Sequence, residues 1–506
     1  MGKKKNVLLI SSDHMRSDAM GHSVEWSEQS SLSHTIATPA LDRLAREGVS
    51  FANAFTTNPV CVPARASITT GNYPHKCTDS KGNSGSIASD QPKLAEIFND
   101  VGYKTYAIGK LHYVPYSPPG EPRLLHGFEH AELNEEGRIL GRYDPDGKLE
   151  GLEDYHDYLK SVGWAGYERA HAVGNNDVHP APSPMPAEHH EEAWVASRTI
   201  ASLEEHKANT GDQPFLMWAS FSKPHPPYDP PRPYDNMYDP RKIPTPMASE
   251  TGDELLQDRD PELKTRNVRF GWDRLSHEAV NVIRSHYAGM VTFQDKQIER
   301  IIEWLEKNEL LEETIIVYTS DHGDLLGDFG RFFKTCFFDG AVKVPLIWRI
   351  PGFHNAGKWR RDQLVGVQDI LPTLCHLTGT TLPCSVDGED ISNVITESAD
   401  TARDFYISQG AGGKYMLRTS QWKYVYHASG GVEELYDVTA TDADCENLAH
   451  DTRCGEVRQQ LRQKLFEWCR ENEDHEMIAG DNLAQTPLDN LPAAEFNGKG
   501  LGLRKY

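Results

Sequence analysis

The chain has 506 residues, of which 38% are hydrophobic and 9% aromatic, enough for a large catalytic domain with a smaller appendage. Its formal net charge of −23 excludes a broad basic surface for nucleic acid. No stretch reaches the ~20 apolar residues that span a bilayer, so we expect no membrane-spanning helix.

The N-terminus predicts a cytoplasmic protein. The apolar run "VLLI" at residues 7–10 is too short for the core of a signal peptide. Asn6 stands where a myristoylation signal needs Ser or Thr. The 8 cysteines form no CxxC pair, and free reduced thiols fit a cytosolic enzyme. An exported form whose signal has been removed is the alternative.

Strand and helix signals alternate through the first two-thirds of the chain. Thr38, Pro39 and Gly48 carry the start and stop signals of a helix, and apolar runs that end in polar residues predict buried strands. The alternation predicts an α/β fold with a sheet sandwiched between helices. The predicted strands cover residues 6–13, 49–55, 103–110, 214–221, 314–320 and 344–350, and the predicted helices cover 39–47, 93–101, 191–206 and 279–308.

Two long segments rich in Gly, Pro and polar residues, 113–186 and 228–273, interrupt this pattern. Loops of this length usually have a function, and we expect them to wall the substrate pocket. After about residue 382, apolar and polar residues alternate around Gly430 and Gly431, which predicts a hairpin. We therefore predict a catalytic domain at 1–381 and an α+β subdomain at 382–506.

Charged side chains and imidazoles follow several of the predicted strands. Such strand ends gather at the ligand-binding edge of an open α/β sheet. Each residue alone has an ordinary explanation, such as a helix cap, a turn or a solvated lysine. Together, two Asp-His pairs suit a divalent cation that also holds an anionic oxygen. The residues are Asp13, His14, Lys110, His112, His225, Asp321, His322 and Lys334.

The stretch "NPVCVPARASITTG" at residues 58–71 places a cysteine beside a fixed positive charge. Pro63 suits the first turn of a helix, which puts Cys61 near the helix N-terminus. The helix dipole and Arg65 would both stabilise a negative charge there. The pattern fits a reactive thiolate, a buried structural thiol or a cysteine that is converted into another nucleophile.

"CVPARASITTG" resembles the C-x-P-x-R signature of type I sulfatases, in the alkaline phosphatase superfamily. "GYKTYAIGKLH", "SFSKPHPPY" and "SDHGDLLGDFGRFFK" are similar to further segments of that family, in the same order. The resemblance extends from Asn6 to about Ala449 and implies an alkaline-phosphatase-like mixed β-sheet between helices. Two residues depart from the family pattern: Ala64 stands in place of Ser, and His14 follows the first aspartate.

The resemblance implies a sulfatase that hydrolyses a small anionic sulfate ester, either a sulfated saccharide or an aryl sulfate. A maturation enzyme would oxidise Cys61 to formylglycine (3-oxoalanine). One hydroxyl of the hydrated aldehyde would attack sulfur, and the other would expel sulfate when the aldehyde re-forms. Ca²⁺ is the expected ion, although the imidazole of His14 would suit Mn²⁺ or Zn²⁺ better than Ca²⁺. The implied metal ligands are Asp13, His14, Cys61, Asp321 and His322.

The resemblance also implies roles for the other polar residues. Arg65 would hold the diol, while Lys110, Lys334 and His225 would neutralise the sulfate oxygens. His225 or Lys334 would protonate the leaving alcohol, and His112 would accept the proton of the second hydroxyl.

Three alternatives are open. The nearest is a phosphonate monoester or phosphodiester hydrolase of the same superfamily, which the missing signal peptide and His14 favour. A binding protein without turnover is a second alternative, but such a protein would not need a polar residue at every catalytic position of the family, as this chain has. A cysteine hydrolase would leave the second Asp-His pair and two lysines without a role. We expect no nucleic-acid or membrane partner, and formation of a homo-oligomer is left open.

Overall fold

The computed structural model describes residues 4–25, 31–83, 85–113, 118–144, 146, 148–248, 259–260, 262–263, 271–353, 360–396, 403–440 and 444–488. Parts of the two predicted substrate segments lie outside the described residues, among them 114–117, 249–258 and 264–270. The last part of the predicted C-terminal subdomain, 489–506, also lies outside them. The N-terminal positions 1–3 also lie outside them.

An eight-stranded mixed sheet forms the centre of the molecule, in the order β5-β4-β6-β1-β7-β8-β2-β9. Neighbouring strands from β5 to β7 are parallel, and β8 is antiparallel to both β7 and β2. These eight strands are β1 (Asn6–Asp13), β2 (Val49–Phe51), β4 (Lys104–Gly109), β5 (His130–Leu133), β6 (Phe215–Pro224), β7 (Thr314–Ser320), β8 (Leu346–Arg349) and β9 (Arg360–Arg361). Strands β3 (Ala54–Phe55) and β10 (Val365–Gly366) pair in parallel as a separate two-stranded sheet.

Helices cover both faces of the sheet. Alternate residues of β1 point to opposite faces, so that Leu8 and Ile10 join one core cluster while Val7 and Leu9 join the other. Burial of each such aliphatic side chain contributes about 1.5–3 kcal/mol to stability. The described α-helices are α1 (Pro39–Glu47), α2 (Cys61–Thr70), α3 (Pro74–Cys77), α4 (Leu94–Asp100), α5 (Arg138–Tyr143), α6 (Asp154–Ser161), α7 (Glu191–Thr210), α8 (His277–Lys307), α9 (Asp339–Val342), α10 (Ile370–Thr378), α11 (Ser392–Thr396) and α12 (Gly455–Glu471).

Helix α1 begins and ends where the sequence predicts, although its cap differs. Thr38 occupies the N-cap position, but its hydroxyl donates to Asp42 instead of capping the helix. Asp295 of α8 accepts the first free N–H groups, from Ala40 at 3.0 Å and Leu41 at 2.9 Å. A tertiary contact thus supplies the cap, which the local sequence does not reveal.

The parallel strands deliver their carboxyl ends to one edge of the sheet. Strand β1 ends at Asp13, β4 is followed by Lys110, and β7 is followed by Asp321. Gly109 permits this convergence, because it has a φ of +101° and an added Cβ would lie 2.0 Å from the carbonyl oxygen of Ser220. The fold therefore assembles the predicted polar residues at a common edge.

The C-terminal part contains a separate four-stranded antiparallel sheet of β11 (Phe405–Gly410), β12 (Lys414–Thr419), β13 (Trp422–His427) and β14 (Val432–Asp437). Gly430 and Gly431 lie between β13 and β14, both with positive φ, as the hairpin signal predicts. Helix α12 packs on this sheet through Leu465 and neighbouring apolar residues. A final hairpin consists of β15 (Ile478–Ala479) and β16 (Asn482–Leu483).

The predicted loop at 113–186 contains regular structure. Strand β5 pairs in parallel with β4 and forms an edge of the central sheet. Its sequence "HAEL" is short and half polar, so no apolar alternation marks it as a strand. Helices α5 and α6 follow it within the same segment.

None of the helices in the described part of the chain is both long enough and apolar enough to cross a membrane.

Candidate active site

Cys61 is the first residue of α2 and is completely buried. Pro63 lies in the first turn, as its fixed φ allows. The Sγ atom of Cys61 lies 3.1 Å from Nζ of Lys334, 3.2 Å from Nε2 of His322 and 3.7 Å from Oδ1 of Asp13. Position 61 therefore faces charged and imidazole groups rather than the apolar core.

Four groups of metal-ligand type meet at this point. One ligand atom each from Asp13, His14, Cys61 and His322 lies within 4.8 Å of the others, and all four residues are buried. Two ligands of one ion, each about 2.0–2.6 Å from it, can be at most about 5 Å apart, so this donor set fits a divalent metal. Asp321 lies beside the group, with Oδ1 3.7 Å from Nε2 of His322.

Two cations pair with these carboxylates. Lys110 donates to Asp13 and, at 2.8 Å, to Glu136. Arg65 donates from Nε to Asp321 at 2.8 Å. Its buried Nη2 lies 3.9 Å from Oδ2 of Asp13, beyond hydrogen-bond distance, and has no hydrogen-bond partner among the described residues, so it can donate to a further oxygen.

The cations keep the central carboxylate ionised. Burial alone would raise the pKa of Asp13, but the positive charge of Lys110 above all lowers it well below its usual value, and Arg65 contributes in the same direction. The same balance raises the pKa of Lys110, because attraction to Asp13 and Glu136 outweighs the opposing effect of burial. Both groups are therefore charged at neutral pH.

The two predicted proton-transfer histidines occupy different positions. The His225 ring lies 4.3 Å from that of His14, and its Nδ1 is 2.6 Å from the carbonyl oxygen of Pro226. His112 follows Lys110 with a positive φ of 58°, and its Nδ1 lacks a hydrogen-bond partner among the described groups. Burial lowers the pKa of both histidines well below 6.5, so both are neutral at pH 7.

The structure therefore brings Asp13, His14, Cys61, His322 and Lys334 into contact, as the sequence predicts. Asp321, Arg65 and Lys110 adjoin them through direct hydrogen bonds and ion pairs. His225 adjoins His14, while His112 lies nearby, with its backbone N–H on Glu135 at 2.9 Å.

Two carboxylates at the site were not predicted from the sequence. Asp324 accepts from Nδ1 of His14 at 2.8 Å and from the hydroxyl of Tyr228 at 3.0 Å. Glu136 binds Lys110 and lies 3.7 Å from His225. Asp324 belongs to a "DHGD" turn and Glu136 to a polar loop, so sequence position alone suggests solvent exposure for both.

Asp324 fixes the orientation of His14. With its Nδ1–H donated to Asp324, the imidazole directs the lone pair of Nε2 toward Cys61 and Lys334. We expect Asp324→Ala to lower the affinity for a divalent metal about 10- to 100-fold, because a free His14 ring loses its tautomer and orientation. Calorimetric titration of the metal-free protein with Mn²⁺ measures the effect.

Asp328→Ala is the matched control for this prediction. Asp328 is a buried carboxylate of the same loop, but it binds Arg16 at 2.7 Å and Arg284 at 3.4 Å instead of His14. Equal losses of metal affinity in the two variants would show that Asp324 acts only through loop stability.

Comparison with known proteins gives concordant matches. The sulfatase family model matches residues 5–380, and a model described as N-sulphoglucosamine sulphohydrolase, C-terminal, matches residues 327–471. An arylsulfatase from Clostridium perfringens is 29% identical over 477 residues, covering 92% of this chain and 94% of that protein. A choline-sulfatase from Rhizobium meliloti is 28% identical over 428 residues, covering 82% and 78% respectively.

The solved structure of a phosphonate monoester hydrolase from Silicibacter pomeroyi has the same fold, with a TM-score of 0.77 at 23% identity. The match covers 96% of this chain and 100% of that one. The predicted fold class, an alkaline-phosphatase-like mixed sheet between helices with a C-terminal antiparallel sheet, is confirmed.

Proposed function

The chain belongs to the sulfatase family and is a hydrolase of sulfate esters, and we propose that it acts on a sulfated saccharide or an aryl sulfate through a formylglycine made from Cys61. The observation that carries this proposal is the meeting of Cys61 with Asp13, His14, His322 and Lys334 at the carboxyl edge of the sheet. A nucleophile position, a metal-ligand group and a free cation are thereby within contact distance of one another.

The family implies a divalent metal and a formylglycine. We propose that Asp13, His14, Asp321 and His322 hold the metal together with the side chain at position 61, and that the ion is Ca²⁺, with Mn²⁺ or Zn²⁺ as the alternatives. When bound, the metal would act as a Lewis acid that favours a deprotonated nucleophile, and the hydrated aldehyde would supply that nucleophile and a route for sulfate release. A formylglycine-generating enzyme must reach position 61 before the fold closes, because Cys61 is completely buried.

The fixed cations of the chain would bind the anionic ester. Lys334 contacts Cys61 directly, and Lys110 lies across Asp13 from it, so sulfate oxygens placed here would meet two ammonium groups. The unpartnered Nη2 of Arg65 would donate to an oxygen at position 61. With a divalent metal bound, these cations would offset the carboxylates of the site, so that a protein of net charge −23 could bind an anion there.

Proton transfer is assigned to the two neutral histidines. His225 lies between His14 and Glu136, on the side where the leaving alcohol departs in our proposal. It is neutral in the free protein, and it would donate to that alcohol after it takes up a proton, which the Glu136 carboxylate favours. His112 has a buried and unpartnered Nδ1, and it would accept the proton of the hydroxyl that remains at position 61.

A phosphonate monoester or phosphodiester hydrolase is the second candidate, since two imidazoles, His14 and His322, stand among the ligand-type groups. p-Nitrophenyl sulfate, p-nitrophenyl phenylphosphonate and bis-p-nitrophenyl phosphate share a leaving group and differ in the reacting centre. We expect kcat/KM for the sulfate to exceed both other values at least ~10-fold. A higher value for the phosphonate or the phosphodiester would replace the proposal with this second candidate.

A further inference from the structure

A cavity of about 140 Å³ adjoins the site on the side of His225. Its lining includes Glu136, Glu153, Tyr155, Glu168 and Arg169, and comes mostly from residues 134–191. We name it the acidic cavity. Glu136 connects it to the site, because one carboxylate oxygen accepts from Lys110 at 2.8 Å and the other lies 3.7 Å from Nδ1 of His225.

Three carboxylate oxygens in this lining have no hydrogen-bond partner among the described residues: Oε1 of Glu136, Oε2 of Glu153 and Oε2 of Glu168. The Glu136 side chain is fully buried, and the Glu153 residue is only 2% exposed. Buried acceptors are nearly always paired, and an unpaired one is costly. Three such oxygens around one cavity, at least two of them on ionised carboxylates, therefore indicate a polar ligand that brings hydrogen-bond donors.

The orientation of Glu153 is fixed independently of any ligand. Its other oxygen accepts the backbone N–H groups of Glu135 at 2.8 Å and Gly137 at 2.9 Å. These two hydrogen bonds hold the carboxyl group at the cavity wall and leave Oε2 without a bond. Burial and, more weakly, the charge of Glu135 raise the pKa of Glu153 to about 8, so Oε2 carries a proton in most molecules at pH 7 and can donate as well as accept. This polar group is built into the fold, in the segment that carries Glu136 as well.

The charges of the lining disfavour an anionic ligand. Arg169, the one Arg or Lys among the described lining residues, faces Glu191 and Asp229. Burial raises the pKa of these two carboxyl groups, but Lys223 and, more weakly, Arg169 lower it below the usual value. The ionised carboxylates of the lining outnumber its one guanidinium, so a sulfate or carboxylate in the cavity would be repelled by like charge.

We propose that the acidic cavity binds the leaving-alcohol half of the substrate as a saccharide unit with hydroxyl or ammonium donors and no second sulfate or carboxylate. The inference rests on the proposed function, since the position of the leaving alcohol follows from the sulfate site. Glu136 and Glu168 would accept from the sugar, the Glu153 carboxyl would exchange a hydrogen bond with one of its hydroxyls, and Tyr155 lines the same cavity.

Calorimetric titration of the full chain with glucosamine, N-acetylglucosamine and glucuronate tests the inference, because desulfated sugars bind whether or not position 61 is matured. We expect Kd values for the first two sugars at least ~10-fold below that for glucuronate. Tighter binding of glucosamine would identify an ammonium donor, and equal binding would identify hydroxyl donors. Glucuronate that binds equally or more tightly overturns the inference.

Glu168→Ala provides the matching kinetic test, since this part-exposed residue can be replaced with little risk to folding. We expect kcat/KM for N-acetylglucosamine 6-sulfate, divided by that for p-nitrophenyl sulfate, to fall about 5- to 10-fold. Glu129→Ala is the control, because Glu129 is exposed in the same segment and pairs with Lys104.

The two possible failures are distinguishable. An unchanged ratio in Glu168→Ala, with aryl sulfate still hydrolysed, would overturn the cavity inference and leave the proposed function standing. If no sulfate ester is hydrolysed by the matured protein, the proposed function fails, and with it the identification of the cavity occupant as a leaving group.

Discussion

Replacing Asp13 with alanine is expected to lower kcat/KM for an aryl sulfate by at least about 10³-fold, since loss of metal-based charge stabilisation amounts to several kcal/mol. Asp13 lies at the centre of the site. One oxygen is 3.7 Å from both Cys61 and His322, and the other accepts from Lys110. Its removal takes away the carboxylate that we propose as a metal ligand, and with it a partner of the buried Lys110.

Steady-state kinetics and measurement of bound metal by mass spectrometry of the digested protein check this prediction. Asp18→Ala is a suitable control. Asp18 lies five positions after Asp13 in the chain, and it pairs with Arg16 at 2.7 Å. If the Asp13→Ala protein keeps one bound divalent ion and more than about a tenth of the wild-type activity, Asp13 is not a metal ligand.

Replacing Cys61 with alanine should remove activity almost completely, by roughly 10⁴-fold or more, because the nucleophile is lost while the binding groups remain. The fold should tolerate the change, since the cysteine is small and α2 retains Val60 as its extended N-cap residue. Circular dichroism and thermal unfolding separate loss of chemistry from loss of fold, and assays with p-nitrophenyl sulfate measure the loss.

Cys77→Ala controls for the removal of a buried thiol. Cys77 is also completely buried, but it lies at the end of α3 and its Sγ is 3.6 Å from the carbonyl oxygen of Asn72, not beside the site. Activity within tenfold of the wild type in Cys61→Ala, or equal losses in both variants, would contradict a nucleophile at position 61.

The predictable parts of the fold are those whose signals are local. Strand β1 is a continuous apolar run that ends in polar residues, and α1 lies between Pro39 and Gly48, so propensity and tertiary packing agree. The edge strand β5 was missed because only a few polar residues form it, and its strand conformation depends on pairing with β4.

The residues of the candidate site were likewise predictable where their signals are local. Asp13, Lys110 and Asp321 come directly after or end apolar strands, so parallel strand order predicts their convergence. Asp324 and Glu136 act through His14 and Lys110, and these contacts depend on how two distant loops pack. Neither residue type nor spacing distinguishes such carboxylates from the many solvated ones in an acidic chain.

The central claim is that position 61 carries an aldehyde-derived nucleophile within the metal-ligand group. Mass spectrometry of the tryptic peptide that contains residue 61, from protein with measured sulfatase activity, tests it directly. Our account predicts a mass about 18 Da below that of the cysteine form. A fully active protein whose peptide carries only the intact thiol would contradict it.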